Sequence, residues 1–190
     1  STALTQAQQY TNAGRVRNPG YDLCFSAPKP VSILFALADE ELRKKLRRAQ
    51  RAAVAFSIGF LERAAFESRR GKGGAFRIPA LPVVAAFPHL TSRAQDPQIH
   101  THAVVLNVTF ARSDSKTGAL HTPRLYECKL AAGAAYQAKL SYELMNRLGL
   151  SVERTEHAFE IAGIPDAVVL RFSKRAAEIR EMAAELGWTT

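Results

Sequence analysis

His89, His100 and His102 place three of the chain's five histidines within fourteen residues, and imidazole is a favoured ligand for first-row divalent cations at neutral pH. An apolar run leads into His89, a polar stretch follows from Leu90 to Gln98, and an apolar run leaves His102. This predicts two strands, Val83 to His89 and Ile99 to Val108, with a loop between them. Residues two apart on a strand share a face, so His100 and His102 point the same way with Val104, Leu106 and Val108. If the two strands are antiparallel neighbours, His89 meets that pair across the ladder and three imidazoles converge. Three neutral ligands leave coordination positions open and the ion's full charge in place. That makes a Lewis acid for a carbonyl or a phosphate oxygen. An isolated His-x-His pair is more often two ordinary strand residues; the third histidine at the far end of the hairpin tips the balance toward a site.

A carboxylate joins this group on a third strand. Tyr21 to Ser26 alternates, with Tyr21, Leu23 and Phe25 on one face and Asp22, Cys24 and Ser26 on the other. Beside a metal-bound triad Asp22 could take a proton from a nucleophile or orient a histidine; by itself it reads as a solvent-side residue. His121 and His157 lack such neighbours and read as surface or strand-end residues.

The elements that must position these side chains follow from punctuation and periodicity. Asn18-Pro19-Gly20 signals a turn that ends a poorly patterned N-terminal stretch. Beyond Pro28 and Pro30, Val31 to Leu37 predicts a short helix. Asp39 can cap a long one running to about Arg69, with an apolar stripe at 42, 46, 49, 53, 56 and 60 and Gly71-Lys-Gly-Gly74 as its stop. Ala75 to Ile78 and Val83 to His89 read as strands interrupted by Pro79 and Pro82, and Ile99 to Phe110 as the longest strand. A second helix is expected from about Leu125 to Leu148, with Ala131, Ala135, Ala138, Tyr142 and Met145 on one stripe and Gly149 ending it. Short strands near Val152 and Phe159 precede a third helix from Pro165 to Gly187, apolar at 169, 172, 176, 179, 183 and 186. The stripes are expected to be core faces. The fold class is α+β, a two-layer sandwich in which long helices pack on an antiparallel sheet carrying the histidines.

At 190 residues and 47% apolar content the chain can bury a core without disulfides or metal staples. The sequence predicts neither a membrane span nor a secretory signal. Cys24 and Cys128 are far apart and lack companions at metal spacing; they read as free thiols in a reducing, cytoplasmic compartment. The formal charge of +9 favours a polyanionic partner, and Arg43, Lys44, Lys45, Arg47, Arg48 and Arg51 concentrate it within nine positions. A solvated helix face explains such a run equally well.

Three segments carry a resemblance. Tyr21-Asp-Leu-Cys-Phe-Ser-Ala-Pro-Lys-Pro-Val-Ser32, the stretch from His89 to His102, and Phe172-Ser-Lys-Arg175 resemble successive motifs of the conjugative relaxases of the TrwC/TraI (MobF) type, within the HUH endonuclease superfamily. The resemblance runs from about Gly20 to Ile179. It implies cleavage and rejoining of one DNA strand at an origin of transfer, through a tyrosine that becomes joined to the 5′ phosphate. It also implies His89, His100 and His102 as metal ligands and Asp22 as the acidic residue that activates the tyrosine. The expected cofactor is a divalent ion, Mg or Mn in use, with Zn, Ni or Co able to fill the site. Lys29, Arg93, Lys174 and Arg175, basic residues inside the motifs, are the expected nucleic-acid contacts. Single-stranded DNA is the expected partner, with accessory conjugation proteins. Pro30 stands where the family commonly has serine, and Pro88 where arginine is frequent.

Residues 1–19 then read as a linker or remnant and 20–190 as a relaxase core domain. Tyr10 is the only tyrosine ahead of Tyr21, and Gln8-Gln-Tyr-Thr11 does not match the nucleophile motif. The attacking tyrosine is therefore expected to lie outside this chain, and the chain to be a piece of a longer or truncated relaxase. Two alternatives remain at this stage. One is a non-catalytic single-strand-binding module of the same fold. The other, a zinc hydrolase for a small substrate, is disfavoured by the basic charge.

Overall fold

Burial alternates strictly from Ile99 to Val105, and this alternation sets the plan of the protein. The computed structural model describes residues 18–111, 113–114, 116–156 and 158–185. Strand β1 spans Gly20–Ser26, followed by helices α1 (Lys29–Leu37) and α2 (Glu40–Ala64). Strand β2 (Glu67–Arg70) leads through a 3-10 turn at Lys72–Gly74 into β3 (Phe76–Thr91). Strands β4 (Pro97–Ala111) and β5 (Thr117–Gly118) precede helix α3 (Thr122–Leu148). The hairpin β6 (Val152–Arg154) and β7 (Phe159–Ile161) and helices α4 (Asp166–Arg171) and α5 (Lys174–Glu185) complete the described chain. The main sheet has the order β1-β4-β3-β2, with β5 paired to β4.

Two hydrogen bonds set β4 antiparallel to β1: Ala27 N–H to Ile99 O at 2.9 Å and Asn107 N–H to Pro19 O at 2.8 Å. They put Asp22 and Cys24 beside the even-numbered residues of β4. At Gly20 the backbones approach so closely that a Cβ would stand 2.8 Å from Val105 O, which is why a side-chain-free residue opens β1.

The chain packs as two compact units. One takes in residues up to 24, 57–87 and 102–132, the other 25–56, 88–101 and 133 onward. In the first, Leu61, Ala65 and Phe66 at the end of α2 pack with Val105 of β4 and with Leu125, Cys128 and Ala132 of α3. Tyr21, Leu23 and Val84 lean on this cluster. In the second, a buried polar network joins helices to strands. Tyr136 Oη donates to Gln50 Oε1 at 2.7 Å, and Gln50 Nε2 donates to Phe25 O at 3.1 Å and Thr101 Oγ1 at 3.3 Å. Thr101 lies between His100 and His102 but faces the helices, so the histidines face away from them.

Several boundaries differ from the sequence expectation. The long helix starts as expected, with Asp39 Oδ1 accepting Leu42 N–H at 2.8 Å, but ends at Ala64 instead of Arg69. Glu67–Arg70 is a strand because its backbone pairs with Phe76–Pro79. The interrupted strands are one strand, β3, and at 16 residues it is longer than β4. On α2 the positions 46, 49 and 53 are buried, whereas Phe56 is 47% exposed and Ser57 takes the inward place, its hydroxyl donating to Ala132 O. On α3 the buried row is 125, 128, 132, 136, 140 and 144, one row over from the expected stripe; Tyr142 and Met145 are exposed. That helix is apolar on two sides, and the larger Tyr136, Leu140 and Leu144 decide which side is covered. The expected third helix is two, broken at Phe172 and Ser173, and Ile179 and Met182 on α5 remain exposed. Gly149 ends α3 as expected, with φ 68°. No helix among the described residues is long and apolar enough to cross a membrane.

Candidate metal centre

The hairpin β3-β4 and the neighbouring β1 bring the expected residues together. One ligand nitrogen from each of His89, His100 and His102 lies within 4.8 Å of the others. The rings of His89 and His100 are tilted at 54° with centroids 5.1 Å apart. Period-two spacing on β4 gives His100 and His102 a common face, and the hairpin returns His89 to it.

Hydrogen bonds select which nitrogen two of the imidazoles can offer. His100 Nδ1 is 3.0 Å from Gln98 O, and a carbonyl only accepts, so Nδ1 carries the proton and Nε2 the lone pair. His102 Nδ1 is 2.6 Å from Asp22 Oδ2, and donation to the carboxylate assigns the same tautomer. This carboxylate–imidazole and carbonyl–imidazole pattern is the one that orients histidines toward a cation. The donor set therefore fits a divalent metal: three convergent imidazoles, two of them fixed in one tautomer, on a partly exposed face. Cys24 lies near Asp22 on β1. Its thiol is pushed up from its ordinary value by burial, with the Asp22 charge adding to the shift, so it does not present a ready thiolate to the site.

The expected nucleic-acid contacts occupy different settings. Arg93 is exposed in the turn between β3 and β4. Lys29 is partly buried and its Nζ donates to Pro97 O at 3.0 Å; burial lowers its pKa, opposed by the charge of Asp96. Lys174 is exposed at its ammonium, which lies 3.9 Å from Asp96 Oδ1. The side chain of Arg175 lies outside the described residues, as do Tyr10 and His157. Sequence reasoning passed over Gln98, Asp96 and Gln50. Gln98 acts through its backbone carbonyl, which no side-chain pattern reveals. Asp96 has a visible signal in a carboxylate at the start of a strand, but its partners are remote in sequence.

The sequence model of the TrwC relaxase family matches residues 2–190. This chain belongs to that family. The multifunctional conjugation protein TraI of Escherichia coli strain K12 is 36% identical over 194 residues, 96% of this chain. The chain spans about a tenth of the length of the TraI relatives it matches. Among solved structures, a metal-bound complex of the conjugative relaxase TrwC with oriT DNA shares 34% identity at a TM-score of 0.83. The match covers 94% of this chain and 61% of that one. TrwC complexed with a 27-mer DNA comprising the recognition hairpin and the cleavage site is similar, with 32% identity and a TM-score of 0.80; 96% of this chain and 68% of that one are covered. A copper-bound TrwC–oriT complex gives 31% and 0.81, over 96% of this chain and 65% of that one. The α+β fold with an antiparallel sheet and packed helices is thus the fold of the relaxase family.

Proposed function

We propose that this chain is a metal-dependent relaxase core that cleaves and rejoins one strand of DNA at an origin of transfer. The observation that carries the reading is the convergence of His89, His100 and His102 with Asp22 on His102, in a chain matched by the relaxase family along nearly its whole length. His89, His100 and His102 would hold a divalent cation, with Mg or Mn in use. When bound, it polarises the non-bridging oxygens of the scissile phosphate and stabilises the charge that builds there.

The protein's own residues do the rest. Asp22 holds His102 in one tautomer and, being half exposed, is open to accept the proton of an attacking tyrosine hydroxyl. That oxygen attacks phosphorus, the 3′ oxygen leaves, and the 5′ phosphate remains joined to tyrosine; the reverse attack by a 3′ hydroxyl rejoins the strand. The described tyrosines are engaged elsewhere. Tyr21 leans on the core and stacks edge-on with Tyr126, Tyr136 is buried on Gln50, and Tyr142 lies under the Lys139 ammonium. These contacts favour an attacking tyrosine from outside the described residues. Arg93 and Lys174, with Arg175, would contact the DNA strand, Lys29 would steady the turn beside them through Pro97 O, and accessory conjugation proteins would share the DNA. Two free cysteines support a reducing, cytoplasmic setting.

The test is binding of a single-stranded origin-of-transfer oligonucleotide, measured by fluorescence anisotropy with and without Mn²⁺. Binding should weaken with salt, and Mn²⁺ should tighten it for the wild type but not for His100→Ala. Binding indifferent to Mn²⁺ in both proteins would leave a non-catalytic single-strand-binding module. A covalent protein–DNA adduct formed by this chain would place the nucleophile within it, and Tyr10 would be the residue to map.

A further inference from the structure

The turn that joins the two histidine-bearing strands is fastened to a helix 78 residues away in sequence. Asp96, in that turn, is 2% exposed. A buried carboxylate is costly unless it is bonded or paired, and here one oxygen is hydrogen-bonded and the other faces an ammonium. Oδ2 accepts the backbone N–H of Lys174, the first residue of α5, at 2.7 Å, and Oδ1 lies 3.9 Å from Lys174 Nζ. The turn is closed on itself by Ser92 N–H to Asp96 O at 2.9 Å and by Asp96 N–H to Ser92 Oγ at 3.2 Å, with Gln95 at φ 63°. Each residue from Asp96 to Ile99 has a partner beyond its own strand. Asp96 holds α5, Pro97 O receives Lys29, Gln98 Nε2 bonds the Ser26 hydroxyl, and Ile99 N–H bonds Ser32 Oγ. His100 follows immediately.

Among its described residues, helix α5 is exposed along most of its length. Ile179 and Met182 are 52% and 60% exposed, and the bonded N-terminus ties the helix to the turn. We propose that Asp96 is a positioning residue for the histidine cluster: by capping α5 it clamps the turn between His89 and His100, coupling the docking of α5 to cation binding. The proposal rests on the metal-site reading above. Coupling is reciprocal, so a cation on the histidines must in turn steady α5.

The test uses Ni²⁺ alone as the probe, titrated calorimetrically into the wild type, Asp96→Ala, Asp96→Asn and Lys174→Pro. The last breaks the tie from the helix side. Proline is well tolerated at the first position of a helix and removes the N–H that Asp96 accepts, leaving every turn residue in place. Asp96→Ala and Lys174→Pro should weaken Ni²⁺ binding about tenfold, the range seen when a group supporting a metal ligand is lost. Asp96→Asn, which keeps an acceptor oxygen, should stay near the wild type. Amide hydrogen exchange across Lys174–Glu185 should slow on Ni²⁺ binding in the wild type and not in Lys174→Pro. Wild-type affinity in Lys174→Pro, or exchange in α5 that ignores Ni²⁺, would overturn the proposal alone. Failure of the wild type to bind Ni²⁺ would overturn the metal-site reading and the proposal with it.

Discussion

His102 Nδ1 stands 2.6 Å from Asp22 Oδ2, so the strand that carries the carboxylate is bonded through a side chain to the strand that carries two of the three histidines. The bond does two things at once. It orients the imidazole so that Nε2 is the nitrogen offered to a cation, and it fixes the ring's tautomer.

Replacing Asp22 by alanine should therefore weaken divalent-metal affinity about tenfold to a hundredfold, as loss of such a partner does elsewhere. Calorimetric titration measures it, and circular dichroism should show the fold retained, because Asp22 is half exposed.

Gln50 offers a contrasting prediction, because it supports the same strand from the buried side. Gln50→Leu removes the amide that bonds the Tyr136 hydroxyl, the Phe25 carbonyl and Thr101, and should cost about 1–3 kcal/mol of stability. Urea unfolding monitored by fluorescence gives the value. A change in midpoint without a change in slope would show that the native state lost the energy.

These residues also mark how far the sequence could be read. The shared face of His100 and His102 and the half-buried alternation of β1 follow from a period of two, which local chemistry sets and tertiary packing only reinforces. The buried row of α3 did not follow, because alanines line both sides and only the volume of Tyr136, Leu140 and Leu144 separates them. Glu67–Arg70 has no strand pattern; β3 makes it a strand. Lys29 and Lys174 read as nucleic-acid contacts from their places in the motifs; their further bonds to Pro97 and Asp96 cross the chain and leave no local trace.

That difference can be measured through salt. Arg93 is exposed on the turn and should contribute to phosphate binding, so Arg93→Ala should reduce the slope of log affinity against log salt by about 0.7 for a single strand. Lys29→Ala should leave that slope nearly unchanged and lower the melting temperature instead, because Lys29 holds Pro97 O.

Acid should act through Asp114. Its carboxyl is held below the usual range first by the hydrogen bonds of Arg70, then by the Lys116 backbone N–H. A lowered folded pKa stabilises above the ordinary value and loses that contribution as pH falls through the lowered one. The stability advantage of the wild type over Asp114→Ala should therefore be full at neutral pH and shrink below about pH 3.9. Melting temperatures recorded across that range check it.

The central claim is that the three histidines form one cation site, and an anomalous difference map from crystals grown with Mn²⁺ tests it most directly. The account predicts a peak at bonding distance from His89, His100 and His102, absent in His100→Ala. Ordered imidazoles with no peak among them, or an Mn²⁺ peak held by other residues instead, would contradict it.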